Sequence, residues 1–207
     1  MNLAVIGAAG GVGRRVVAQA TRAGYAVRGL VRRQEQADML ALYGAEPVLG
    51  DLSAGWEPVL SGADAVVWAA GAGAGGNFQA IDGDALIQLV QTLEERGPRR
   101  LVAVSSVGVD RPEQMPPFLQ AVLRVKAESD GRVQRSALDW TVVRPGGLTD
   151  DPGAGQVTVG RSLPGGRTTR DDVAAVVLAC LHLPSTVGRT FEVTSGGKSI
   201  SEALREL

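Results

Sequence analysis

Apolar positions along the chain fall into short runs, separated by longer segments in which apolar residues recur at helical spacing. Residues 3–6, 26–31, 47–49, 65–68, 101–104 and 141–144 are brief and apolar without strict alternation, the pattern of strands buried on both faces of a parallel sheet. Between them, residues 12–23, 34–43, 80–96 and 117–136 are long enough to cross over as helices. This order predicts an α/β fold, a Rossmann-type doubly wound parallel sheet in a single domain spanning 1–207. Gly24, Gly44 and Gly97 each follow a helical segment and precede a strand, where glycine can take the left-handed conformation that ends a helix. After Arg144 the pattern loosens into residues that favour turns, and the substrate loops are expected in this last third. Regularity returns at Thr169, where Asp172 three residues on suggests a capped helix leading into the apolar run 173–181. A strand at 190–194 and a short helix complete the pattern.

Composition narrows the classes of function. At 44% apolar and 21% charged residues the chain can build a large core and is not of disordered type. Lys plus Arg number 21 against 22 Asp plus Glu, so no overall field favours nucleic acid or an anionic membrane, and any anion site must be local. Aromatic residues at 4% also argue against a stacking platform for single strands. There is neither a secretory-signal pattern nor a run of roughly eighteen apolar residues, so the expectation is a soluble protein without a membrane partner. The single cysteine, Cys180, cannot form an internal disulfide and suits a reducing cytoplasm. No plausible cluster of metal ligands occurs, and the lone His182 reads as structural or exposed.

The chemistry concentrates in one stretch. Gly7 directly follows the first apolar run, and Gly10 and Gly13 follow at three-residue steps, with Ala9, Gly11 and Val12 between them. A G-x-x-G-x-x-G turn that opens a helix meets three demands: a tight bend, backbone close enough for a diphosphate, and a helix packed against its strand. The helical amides and the positive end of the helix dipole then favour an anion. The lysine-Ser/Thr ending of a P-loop is absent.

The second strand ends in Arg32 and Arg33, with no carboxylate before Glu35. Two guanidiniums there suit the 2′-phosphate of NADP, although both could be solvated turn residues. Asp51 and Leu52 follow the third strand, where the carboxylate and nearby amides could reach the adenine edge or cap the next segment. Ala69, Ala70, Gly71 and Gly73 follow the fourth strand, small enough for the chain to lie beside a ribose and diphosphate.

Together, GAAGGVG (7–13), VRGLVRR (27–33), GDL (50–52), AVSSVG (103–108), KAESD (126–130), LDWTVVRPGGLTDDPGAG (138–155) and TTRDDVA (168–174) carry a resemblance over nearly the whole chain. The chain resembles the short-chain dehydrogenase/reductase superfamily in its compact atypical form, the NAD(P)H-binding, NmrA-like and biliverdin-reductase-B/flavin-reductase-like members. The resemblance implies a dinucleotide across the carboxyl ends of the strands and a substrate pocket walled by the loops after the fifth and sixth. In typical members a serine after the fifth strand positions the substrate carbonyl, and a tyrosine four residues before a lysine supplies a proton.

Ser105 and Ser106 match the serine and Lys126 the lysine, but Val122 stands where the tyrosine would. Ser105 and Ser106 could bind a substrate oxygen or the nicotinamide amide, or satisfy strand-end backbone. Lys126 could hold the nicotinamide ribose or lie on a solvated face, and Pro145 and Gly146 would border the nicotinamide. The implied activity is NADPH-dependent hydride transfer to a small conjugated acceptor such as a quinone or flavin, whose reduced anion is delocalised and needs no adjacent acid. A non-catalytic NADP(H) sensor is the alternative, and either monomer or homodimer is compatible.

Overall fold

The computed structural model describes residues 1–207. Its strands are β1 (Asn2–Ile6), β2 (Ala26–Val31), β3 (Glu46–Leu49), β4 (Ala65–Trp68), β5 (Arg100–Val104), β6 (Asp139–Pro145), β7 (Gly147–Thr149), β8 (Gln156–Gly160), β9 (Arg167–Thr169), β10 (Arg189–Ser195) and β11 (Lys198–Ser199). The helices are α1 (Gly13–Arg22), α2 (Gln34–Leu42), α3 (Ala85–Arg96), α4 (Pro117–Gln134), α5 (Arg170–Cys180) and α6 (Ile200–Arg205). The main sheet runs β11-β8-β10-β6-β5-β4-β1-β2-β3. From β3 across to β10 every neighbouring pair is parallel. Strand order reverses beside β1, with β2 on one side and β4 on the other, and in open α/β sheets ligands settle outside the carboxyl ends at such a point.

Both faces of the sheet are covered, which explains why its strands lack polar alternation. Leu3 and Val5 of β1 pack into a core with Val16 and Val17 of α1 and Val173 and Val177 of α5. Ala4 and Ile6 point the other way, into a core with Leu86, Leu89 and Leu93 of α3. Cys180 is buried in the first of these cores, and its burial pushes the thiol up to about 12. No helix is long and apolar enough to cross a membrane.

The fold departs from the sequence expectation at three places. The stretch after β6 contains three strands where turns were expected. β8 pairs antiparallel with β10 and with β11, so one edge of the otherwise parallel sheet is antiparallel, while β7 and β9 form a separate parallel ribbon. These strands are short and glycine-flanked, and distant partners stabilise them more than local preference does. The helix expected from residue 80 starts as a π-helical turn, Gln79–Asp84, before α3. Gly24 and Gly44 are left-handed at φ +83° and +80°, but Gly97 is extended at φ −100°. Its lack of a side chain serves packing, since a Cβ there would lie 2.5 Å from Leu93 Cδ2. At α5 the expected cap is formed: Asp172 N donates to Thr169 Oγ1 at 3.0 Å.

The glycine turn sits where β1 ends beside β4. Gly7 has φ +82°, and a Cβ on it would lie 2.4 Å from Ala70 N. A Cβ on Gly13 would fall 2.1 Å from Gly7 O, so α1 begins with its backbone directly on the turn. Gly13→Ala is expected to cost about 1–3 kcal/mol through overpacking. Gly197→Ala, at a site with no atom within 4 Å, should stay within about 0.5 kcal/mol of the parent; urea denaturation of the two variants checks the contrast.

Candidate functional site

Within the turn, Gly10 N donates to Gly7 O and Arg14 N to Gly10 O, both at 2.9 Å. The amides of Ala9, Gly11 and Val12 make no hydrogen bond to any group of the chain. They stand at the positive end of α1, whose first turn carries no acidic residue. Unpaired donors at an uncompensated helix end form a receptor for an anion. Facing the turn is the chain after β4, pinned by Ala69 N donating to Ile6 O at 2.8 Å.

Between these walls lies a cleft of about 470 Å³, within the range of about 300–1,000 Å³ typical of small-molecule sites. Gly7, Ala9 and Gly10 line one side and Ala69, Ala70 and Gly71 the other; Arg32, Asp51 and Leu52 close one end. The structure thus brings together most of the candidate residues of the first half of the chain. Arg32 N donates to Gln36 Oε1 at 3.0 Å, and Gln36 also lines the cleft. The sequence reading missed Gln36, although its place one helical turn beyond Arg32 was a usable signal. Asp51 caps its own turn: Oδ1 accepts from Ser53 Oγ at 2.6 Å and Ser53 N at 2.9 Å. The Ser53 hydroxyl, the Ser53 amide and the nearby Arg32 charge hold this carboxyl below the ordinary Asp range. Asp51 is therefore a capping residue that also borders the cleft.

Other candidates lie elsewhere. Val12 and Gly13 are buried at the start of α1, Arg33 is the exposed residue preceding α2, and Gly73 is in an exposed loop at φ +69°. Pro145 and Gly146 are buried. A Cβ on Gly146 would fall 2.6 Å from Gly166 O, so glycine there lets the chain after β8 pack closely.

Lys126 and the two serines are already engaged. Lys126 Nζ lies 2.8 Å from Asp82 Oδ1, and the two side chains are 15% and 2% exposed. Asp82 Oδ2 accepts from Ala72 N at 3.0 Å. The π-helical turn thus carries a buried carboxylate that joins the cleft wall to α4, a role with no local signature. Ser105 Oγ donates to Asp130 Oδ2 at 3.0 Å. Asp130 also receives Arg144 Nε at 2.9 Å, and Arg144 reaches on to Asp110. Burial pushes the Asp130 carboxyl up against the pull of Arg144, the Ser105 hydroxyl and Lys126. Ser106 Oγ donates to Val107 O at 3.2 Å.

Both serine hydroxyls are therefore bonded to acceptors of the chain itself. Val122 on α4 is partly buried and has no proton to give. Tyr25 hydrogen-bonds His182 and meets it edge-on at 5.6 Å, and Tyr43 ends α2; neither lines the cleft. Beyond the serines, Glu192 of β10 is 1% exposed and binds Arg111 at 2.8 Å. It also accepts from Gly108 N at 3.3 Å and Leu163 N at 2.6 Å, tying the loop after β5 to the segment after β8. Burial opposes its ionisation, but these donors hold the carboxyl below the usual Glu range.

Residues 7–184 match the family model described as NAD(P)H-binding. Over the full length of both proteins the chain is 32% identical to the uncharacterized sugar epimerase YhfK of Bacillus subtilis. It is 34% identical, at TM-score 0.95 and with complete coverage of both chains, to a Bacillus halodurans protein described as a candidate NAD-dependent epimerase/dehydratase. ChuY, an anaerobilin reductase of Escherichia coli O157:H7, shares the fold at TM-score 0.80 and 24% identity, covering 96% of this chain and 99% of its own.

The Asp82–Lys126 pair generates a stability test. Removing one partner of a buried ion pair leaves an uncompensated charge, so Asp82→Ala is expected to cost about 3–5 kcal/mol. The double variant Asp82→Ala/Lys126→Met should cost less than Asp82→Ala alone, as read from urea unfolding midpoints.

Proposed function

The chain belongs to the NAD(P)H-binding family, and from that membership and its cleft we propose that it is an NADPH-dependent reductase that passes hydride to a small conjugated acceptor such as a quinone or flavin. The observation that carries this reading is the glycine turn with its unpaired Ala9 amide facing the small-residue wall Ala69–Gly71 across one cleft, with the unpaired Gly11 and Val12 amides at the adjoining start of α1 and Arg32 at the end of the cleft. The Gly7, Gly11 and Val12 region would hold the diphosphate, Arg32 a 2′-phosphate by paired N–H donors, and Asp51 and Leu52 the adenine. Ser105 and Lys126 would border the nicotinamide half. Bound NADPH would supply the hydride; the protein's part is to hold, orient and exclude water.

The acceptor class follows from what the chain lacks. With Val122 in place of an acid, the Ser105 and Ser106 hydroxyls bonded within the chain and the Lys126 ammonium paired with Asp82, a localised alkoxide has no unengaged proton source at hand. A delocalised anion tolerates this and can take its proton from water. The same lack weighs against epimerase or dehydratase chemistry of the kind named for YhfK and the Bacillus halodurans protein, which needs a base or acid at the reacting carbon. It also favours a second reading, a non-catalytic NADP(H) sensor.

NADPH oxidation assayed across quinones, flavins and aldehydes separates these. Turnover with quinones or flavins and not aldehydes is expected, whereas tight binding without turnover on any acceptor would favour the sensor. Arg32→Ala should weaken NADPH by about tenfold to a hundredfold, the scale of one charge-assisted contact, and leave NADH within about twofold. Equal losses for both would remove the 2′-phosphate assignment.

A further inference from the structure

Gly11 is the glycine of the turn that no backbone demand explains. It is not among the left-handed residues, and the three atoms nearest a Cβ built on it all belong to one side chain. What such a Cβ would meet is Arg170, with Nε at 2.7 Å and Cδ at 2.9 Å. The missing side chain makes room for the arginine that opens α5. On its other side the Gly11 carbonyl accepts from Arg15 Nη1 at 2.8 Å. Two guanidiniums therefore flank a residue whose own amide, like that of Val12, has no acceptor.

The two arginines are held differently. Arg15 is anchored at three points, to Gly11 O, Asp171 and Asp150. Arg170 pairs with Asp150 alone, Nη1 to Oδ2 at 3.0 Å, and that carboxylate is 66% exposed. An ion pair on an exposed carboxylate is screened by water and salt. A guanidinium gains more from a phosphate, which it can meet with two parallel N–H donors. If Arg170 leaves, Asp150 keeps Arg15 as its partner, so no carboxylate is stranded.

We propose that Arg170 is a cofactor-binding residue, which exchanges Asp150 for the diphosphate of the dinucleotide lying over the Gly11 and Val12 amides. The assignment rests on the NADPH reading above and extends it. Seen this way, Thr169-Arg170-Asp171-Asp172 has two duties: Thr169 and Asp172 cap α5, and the arginine between them delivers charge to a turn that carries no lysine of its own.

The test is titration of NADPH fluorescence on the parent, Arg170→Lys and Arg170→Gln, with displacement by adenosine 2′-monophosphate, which has the 2′-phosphate but no diphosphate. The expected result is an NADPH affinity order of parent, Lys, Gln, with Gln weakened about tenfold or more. Adenosine 2′-monophosphate affinity and the unfolding midpoints should be unchanged. An Arg170→Gln protein that binds NADPH like the parent would overturn the proposal, as would equal losses for both ligands, which would mark a packing strut. A parent that binds no NADPH would instead sink the cofactor reading itself, and this assignment with it.

Discussion

The contact between the first βα turn and the end of β4 is the constraint from which the site follows. Gly7 brings its Cα to the backbone of Ala69 and Ala70, and Gly13 sets the first turn of α1 on Gly7 O. With side chains at these positions α1 would have to lift away from the sheet. The unpaired Ala9 amide and the small-residue wall would then no longer share one cleft. The same approach places the reversal of strand order, the helix dipole and the cleft at one point. The wall is itself held from behind, because Asp82 grips Ala72 N and Lys126 together, so the position of α4 is transmitted to the cleft.

The half of the site beyond β5 has a different character. Its polar groups are satisfied by one another: Ser105 with Asp130, Asp130 with Arg144, Glu192 with Arg111 and two loop amides. Networks of this kind fix loops firmly and leave few free protons. Proton chemistry is therefore poorly provided for, while positioning is well provided for. That imbalance agrees with the proposed reading, in which the reaction is left to the cofactor.

Much of this was legible in the sequence, for physical reasons that also mark the limit. The parallel strands announce themselves because burial on two faces demands continuous apolar residues, as in Ala65–Trp68, where all four are buried. The glycine turn is legible because three geometric demands fall at fixed spacing. β8 was not, since its three β-favouring residues, Val157–Val159, stand among glycines and turn residues and are held as a strand by pairing with β10 and β11. Gly97 was misread because glycine answers both positive φ and close packing, and sequence does not distinguish them. Asp82 and Arg170 escaped for a third reason: each acts on residues brought close only by the fold, Asp82 on Lys126 and Arg170 on Gly11. Such pairings leave no periodic trace.

The central claim, that main-chain amides of the first turn receive the diphosphate, is tested most directly by following the backbone amide resonances of ¹⁵N-labelled protein during addition of NADPH. The account predicts that Gly11 and Val12 shift saturably and exchange more slowly with solvent, while Gly24 and Gly44, in turns away from the cleft, stay in place. Saturable binding that leaves Gly11 and Val12 unmoved would contradict it.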